Sequence, residues 1–138
     1  MARRHHGTGR SYRHQELLYD PDTPSPSHAE LARTLCAEVT VGTLATLAVD
    51  HGGHPYGSFV TFGLDGGRPI FLISELAEHT RNLRGDGRAS LLVAQPGDGD
   101  PLARARVTLI GDCEVVSEEA ERDRIKGLFL ARHQGASY

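Results

Sequence analysis

The sequence predicts a mainly β domain with flanking helices, a small antiparallel barrel or strongly curled sheet. Three observations predict it. Runs of β-branched and aliphatic residues recur between Val41 and Val116, separated by turns such as Asp50-His-Gly-Gly53 and Asp65-Gly-Gly67. Helical spacing is confined to one segment before these runs, one among them and one after. A length of 138 residues, 38% hydrophobic and 24% charged, suits one domain with its own core.

Residues 1–26 read as a tail or arm: Arg3, Arg4, Arg10 and Arg13 with His5, His6 and His14, then Pro21, Pro24 and Pro26 among Asp, Thr and Ser, without aliphatic periodicity. The domain occupies 27–138. Ser27 followed by Glu30 is a capping-box signature, and Leu31, Leu35 and Val39 recur at helical spacing, so a first helix is expected over 28–39. A strand follows over 41–49, and a second over 54–64 with Phe59, Val60 and Phe62. The Asp65-Gly66-Gly67 turn joins antiparallel neighbours, which makes 69–74 a third strand. Glu75, Leu76, Ala77, His79, Arg81 and Leu83 favour a short helix over 74–83, lying across the end of the sheet and closed by Asp86-Gly87. Residues 89–94 form a compact strand, 95–101 a turn-rich loop, and 105–116 a long strand with a bulge or bend at Gly111. A last helix begins at Ser117-Glu118-Glu119, carries Ile125, Leu128 and Phe129 as its apolar stripe, and ends near Arg132 and His133 before Gly135.

Composition excludes several functions. The formal charge of -3 offers no basic field for a phosphate backbone, so no nucleic-acid partner is expected. No apolar run approaches the roughly 20 residues of a membrane span, and Met1 to Gly9 lacks a signal-peptide core, which predicts a cytoplasmic protein without a membrane partner. Cys36 and Cys113 belong to no CxxC pair and read as buried free thiols. His51, His54 and His79 lie near turns but form no HxH or HExxH pattern, so no metal site is expected. No GxSxG, GxGxxG or P-loop occurs, and no residue is singled out as catalytic.

The densest chemistry is Ser74-Glu-Leu-Ala-Glu-His79-Thr80-Arg81-Asn82-Leu83. Hydroxyl, imidazole, guanidinium and amide groups meet at the start of a short helix, where unpaired N–H groups and the helix dipole favour an anion. The same residues also permit a plain structural role. Ser74 and Thr80 then cap the helix, and Arg81 pairs with Glu78 or Asp86.

Three segments together resemble a known family: Gly42-Thr-Leu-Ala-Thr-Leu47, Gly53-His-Pro-Tyr-Gly-Ser58, and Phe71 to Leu83 with Arg88-Ala-Ser-Leu-Leu-Val93. They are similar to the pyridoxamine 5'-phosphate oxidase-related FMN-binding split-barrel proteins. The S-x-L-A-x-H-T-x-N-L run and Arg106-Val-Thr-Leu-Ile-Gly111 resemble its haem-utilisation, HugZ-type branch. The resemblance, over Ser27 to Tyr138, implies a six-stranded split barrel that forms a homodimer with FMN in the groove between subunits. Where the oxidase carries an arginine and a lysine for the FMN phosphate, this chain carries Ser58 and His79. That assigns the phosphate to Ser74, His79, Thr80, Arg81 and Asn82, and places the backbone of Ser58 and Phe59 against the isoalloxazine. The family's closing strand after Arg132 to Tyr138 has no counterpart, which leaves an edge unpaired unless a partner chain, the N-terminal arm or another element covers it; the sequence is then either a C-terminally truncated fragment or a member completed in another way.

Three functions follow from the resemblance. The first is an FMN-dependent oxidoreductase acting on a small-molecule substrate that the sequence does not name. The second is a haem-binding or haem-degrading protein, with His51, His54, His79 or His133 as candidate ligands. The third is a non-catalytic flavin or tetrapyrrole module.

Overall fold

A computed structural model describes residues 22–134. The expected tail therefore lies outside the described residues up to residue 21, as does the end of the chain after residue 134. The elements are α1 (His28–Glu38), β1 (Val41–Leu47), β2 (Pro55–Thr61), β3 (Gly63–Asp65), β4 (Arg68–Ile70), α2 (Glu78–Gly85), β5 (Arg88–Ala94), β6 (Arg106–Asp112) and α3 (Glu119–Arg132). Mainly β with flanking helices, the chain has the split-barrel architecture expected of it. The sheet is not closed.

Four strands form one antiparallel sheet in the order β2-β1-β5-β6, while β3 and β4 make a separate hairpin. Period-2 alternation sets the inner face: Gly42, Leu44 and Thr46 of β1 are buried while Thr43 between them is exposed. Gly42 faces β5 so closely that a Cβ would meet Leu92 O at 2.8 Å, a contact only glycine permits. Leu35, Cys36 and Val39 of α1 pack with Leu44, Val60, Phe62, Leu91 and Val93 into one core. Gly66 and Gly67 take positive φ at the β3–β4 turn, which the expected tight turn required.

Several boundaries differ from the sequence expectation. The strand expected over 54–64 breaks at Phe62, whose fully buried ring enters the core while its N–H bonds Thr40 O at 3.0 Å. The strand expected over 69–74 ends at Ile70. Ser74 then makes a local turn, its Oγ accepting from Leu76 N at 3.2 Å and its carbonyl from Ala77 N at 3.1 Å, so the helix starts only at Glu78. No bulge occurs at Gly111, because the β5–β6 register runs unbroken from Ala94↔Arg106 to Arg88↔Asp112. The capping box is present: Glu30 N donates to Ser27 Oγ at 3.2 Å and Ser27 N to Glu30 Oε2 at 2.7 Å.

The two terminal helices meet through one side chain. Arg132 Nη2 donates to Cys36 O at 2.6 Å, Ala37 O at 3.2 Å and Val39 O at 2.8 Å, the carbonyls at the C-terminal end of α1. That end has no basic residue of its own, so Arg132 supplies the cation its dipole favours. The guanidinium lies 5.1 Å from the Phe62 ring centroid, and the next residue, His133, donates from Nε2 to Phe62 O at 2.8 Å. Burial pushes the Arg132 pKa down, the cost of placing this cation under the helix.

Replacing Arg132 with Met keeps the aliphatic stem but strands these carbonyls. We expect a loss of about 2–3 kcal/mol in urea unfolding, the scale of hydrogen bonds to a charged donor. An unchanged midpoint would show that water satisfies the α1 end equally well.

Candidate functional site

The site begins with what holds α2 in place. Asn82 is fully buried, its Oδ1 accepting from Val49 N at 3.1 Å and its Nδ2 donating to Thr46 Oγ1 at 3.0 Å. Thr46, itself buried, passes the chain on to Tyr56 O at 3.4 Å. One buried amide thus ties α2 to the β1–β2 hairpin. Thr80 is buried as well and donates from Oγ1 to Ser74 O at 2.6 Å, fastening the preceding turn to the helix.

Outside this anchor the charges pair among themselves. Arg81 pairs with Glu78 and, at 3.4 Å, with Asp50. Arg84 pairs with Glu75. Glu78 sits in the first turn of α2, with Oε1 buried and without a hydrogen-bond partner among the described residues. His79 is half-buried, and desolvation alone lowers its pKa, so the neutral imidazole is favoured. Of the other candidate histidines, His51 and His54 are exposed and His133 is tied to Phe62 O.

This donor set does not fit an FMN phosphate. Thr80 and Asn82 spend their polar groups inside the fold, Arg81 is neutralised by two carboxylates, and Glu75 and Glu78 bring negative charge to the helix start. Only Ser74, exposed, and His79, whose pKa burial lowers, stay available among the expected phosphate residues. Ser58 and Phe59 point to opposite faces of the sheet. Ser58 pairs with the buried Leu44, whereas Phe59, 78% exposed, pairs with Thr43 on the outer face. On that face Phe59, Leu92 and the 86% exposed Ile110 are exposed apolar side chains interleaved with Thr43 and Thr108, which sequence reading missed although their alternation with buried residues was visible. Between β4 and β6 lies an apolar cavity of about 130 Å³ lined by Leu44, Pro69, Phe71, Leu91, Leu109 and Cys113.

With this geometry in view, the model of the family described as CREG, beta-barrel, matches residues 23–138. The chain belongs to the CREG β-barrel family. It is 36% identical over 111 residues to the chloroplast haem oxygenase HOZ of Arabidopsis thaliana, covering 80% of this chain and 34% of that protein. Its fold is similar to a haem binding protein from Mycobacterium smegmatis, with a TM-score of 0.73 and 45% identity over 84% of this chain and 49% of that one. A TM-score of 0.65 to HutZ, a haem storage protein from Vibrio cholerae, comes with 23% identity and shows the shared fold alone. This CREG β-barrel chain therefore spans about a third of the plant relative and half of the mycobacterial one.

In this member of the CREG family the S-x-L-A-x-H-T-x-N-L run is a structural anchor at Thr80 and Asn82, while His79 is half-buried with its pKa lowered by desolvation. Two outcomes test that division. Asn82→Ala leaves Val49 N–H without its acceptor and removes the donor to the Thr46 hydroxyl, and a destabilisation of about 2–4 kcal/mol is expected by chemical denaturation. For His79 the folded pKa lies below the unfolded 6.5, so the unfolded chain binds more protons and stability falls as the pH drops through and below 6.5. His79→Gln is expected to flatten that part of the stability–pH curve; an unaltered slope would place the titration elsewhere.

Proposed function

We propose that this CREG β-barrel chain is a haem-binding protein with His79 as a haem-facing imidazole. The observation that carries the reading over a flavin one is Arg81, held between Glu78 and Asp50 instead of open to a phosphate. Haem needs no such phosphate grip, and a neutral imidazole is the form that ligates iron. Burial lowers the His79 pKa and so favours its neutral form, whereas His133 has its Nε2 committed to Phe62 O. Identities of 45% to a haem binding protein and 36% to a haem oxygenase support the same ligand. An FMN-dependent oxidoreductase, the other reading of the resemblance, is opposed by the carboxylates around Arg81. Haem degradation is the second reading, favoured by the identity to the plant oxygenase. Two copies with the ligand between them form the proposed assembly, supported by exposed Phe59, Leu92 and Ile110. No described helix is long and apolar enough to cross a membrane, and the proposal keeps the cytoplasmic setting expected from the sequence.

Absorption spectroscopy tests the proposal directly. Titration with haemin is expected to give a shifted Soret band, weakened about tenfold or more in affinity by His79→Ala and unmoved by His54→Ala. FMN is expected to stay in the filtrate on ultrafiltration. Flavin bands retained with the protein, together with no Soret shift, would reverse the assignment. A bound haem spectrum that bleaches after a reductant is added in air would favour degradation over binding alone.

A further inference from the structure

We infer that Asn82 is a positioning residue for His79: by binding β1 and the turn after it, Asn82 sets the rotation of α2 about its own axis and so the direction in which the imidazole is presented. The consequence for a ligand rests on the haem reading of His79, while the positioning itself belongs to the chain without ligand.

Apolar packing does not fix this helix. Glu78-His-Thr-Arg-Asn-Leu-Arg-Gly85 carries a single aliphatic side chain, Leu83, which packs against the core. Apolar burial is non-directional, so one such contact holds a helix down without selecting its rotation. No side chain caps the first turn, where Ala77 stands in the capping position. The two buried residues of α2 are instead the polar Thr80 and Asn82.

Of these two, only Asn82 reaches the sheet. Thr80 bonds Ser74 O at 2.6 Å, within the segment that leads into the helix. The Val49 N–H can only donate, so it selects Oδ1 of Asn82 at 3.1 Å and thereby turns Nδ2 toward Thr46 Oγ1 at 3.0 Å. Thr46 belongs to β1, and Val49 opens the single turn Val49–His51 that follows it. Two directional bonds to two separate points of the sheet fix a rotation that one leucine leaves open. The Arg81–Asp50 pair joins the same turn, but with side chains 56% and 57% exposed it contributes little.

Shape agrees with the bonds. At the last residue of α2, Gly85, a Cβ would meet Val49 Cγ2 at 2.6 Å, so the helix approaches the turn as closely as it does only with glycine there. His79 precedes Asn82 by three residues and Leu83 by four, the spacing that places side chains side by side on one helix face. Over a helix of eight residues, about two turns, the rotation set at Asn82 is also the rotation at His79. The imidazole is half-buried because that rotation leaves it at the border between core and solvent.

Carbethoxylation of the ligand-free full chain by diethyl pyrocarbonate, read peptide by peptide, tests this, with exposed His54 as the internal reference. Thr46→Val removes the acceptor of Nδ2 at nearly constant shape, and is expected to raise the His79 rate relative to His54 about fivefold, the local opening that one lost buried hydrogen bond permits. Thr46→Ser keeps the hydroxyl and is expected to stay within about twofold of the parent. Gly85→Ala leaves every bonding group in place and raises helix propensity, yet drives Val49 off α2; it is expected to raise the rate as well, and carries the test where Thr46→Val does not fold. Arg132→Met loosens the opposite end of the sheet and is expected to leave the His79 to His54 ratio unchanged. In haemin titrations Thr46→Val is expected to move the Soret maximum of the complex from its parental position and to weaken affinity about fivefold. An unchanged His79 rate in both Thr46→Val and Gly85→Ala, or an equal rise in Arg132→Met, would overturn the inference. The two readings separate cleanly: the expected labelling pattern in a chain that gives no Soret shift defeats the haem assignment alone, and a normal Soret shift with unresponsive labelling defeats the positioning alone.

Discussion

The fold hangs on the Arg132 guanidinium. A helix end buried against a sheet leaves carbonyls that must find donors, and α1 brings no cation of its own to that end. Arg132 reaches three of those carbonyls while lying on the face of Phe62. The same aromatic is the residue at which β2 stops and the chain turns into the β3–β4 hairpin. Helix end, core aromatic and strand break are consequently one arrangement. Phe129 and His133, stacked at 4.5 Å, complete it from the α3 side.

At the other end of the sheet, the same economy of polar groups decides what α2 can do. A run of Ser, His, Thr, Arg and Asn suggests an anion cradle, but a buried amide or hydroxyl is costly unless bonded, and the fold satisfies Asn82 and Thr80 from within. Arg81 is likewise answered by carboxylates on its own helix and on the turn after β1. His79 alone is shifted by desolvation without a charged partner, which separates it from its neighbours in the run.

Much of the architecture was legible because its signals are local. The Ser27–Glu30 capping box, the Gly66-Gly67 turn and the alternation of β1 depend on residues within a few positions of each other. The resemblance to haem-utilisation proteins was also legible, and the family and its haem-binding neighbours agree with it. The break at Phe62 was not, because Phe59, Val60 and Phe62 look like one continuing strand until α3 and Thr40 compete for the segment. The late start of α2 escaped because Ser74 prefers a local turn to helix. The fate of the site residues was hidden for a plainer reason: Asn82 meets Thr46 and Val49, and Arg81 meets Asp50, across sequence distances that periodicity does not sense.

The Arg132 contact also bears on how the chain is made. Cys36 and Arg132 are 96 residues apart, so α1 emerges from the ribosome long before the side chain that caps it. The local β1–β2 hairpin can pair early, but β5 and then α3 must arrive before Phe62 and the α1 carbonyls are covered. For most of synthesis the nascent chain carries an open aromatic and an uncapped helix end, a state suited to chaperone binding. Arrival of α3 is thus the step that covers the α1 carbonyls and the Phe62 ring together.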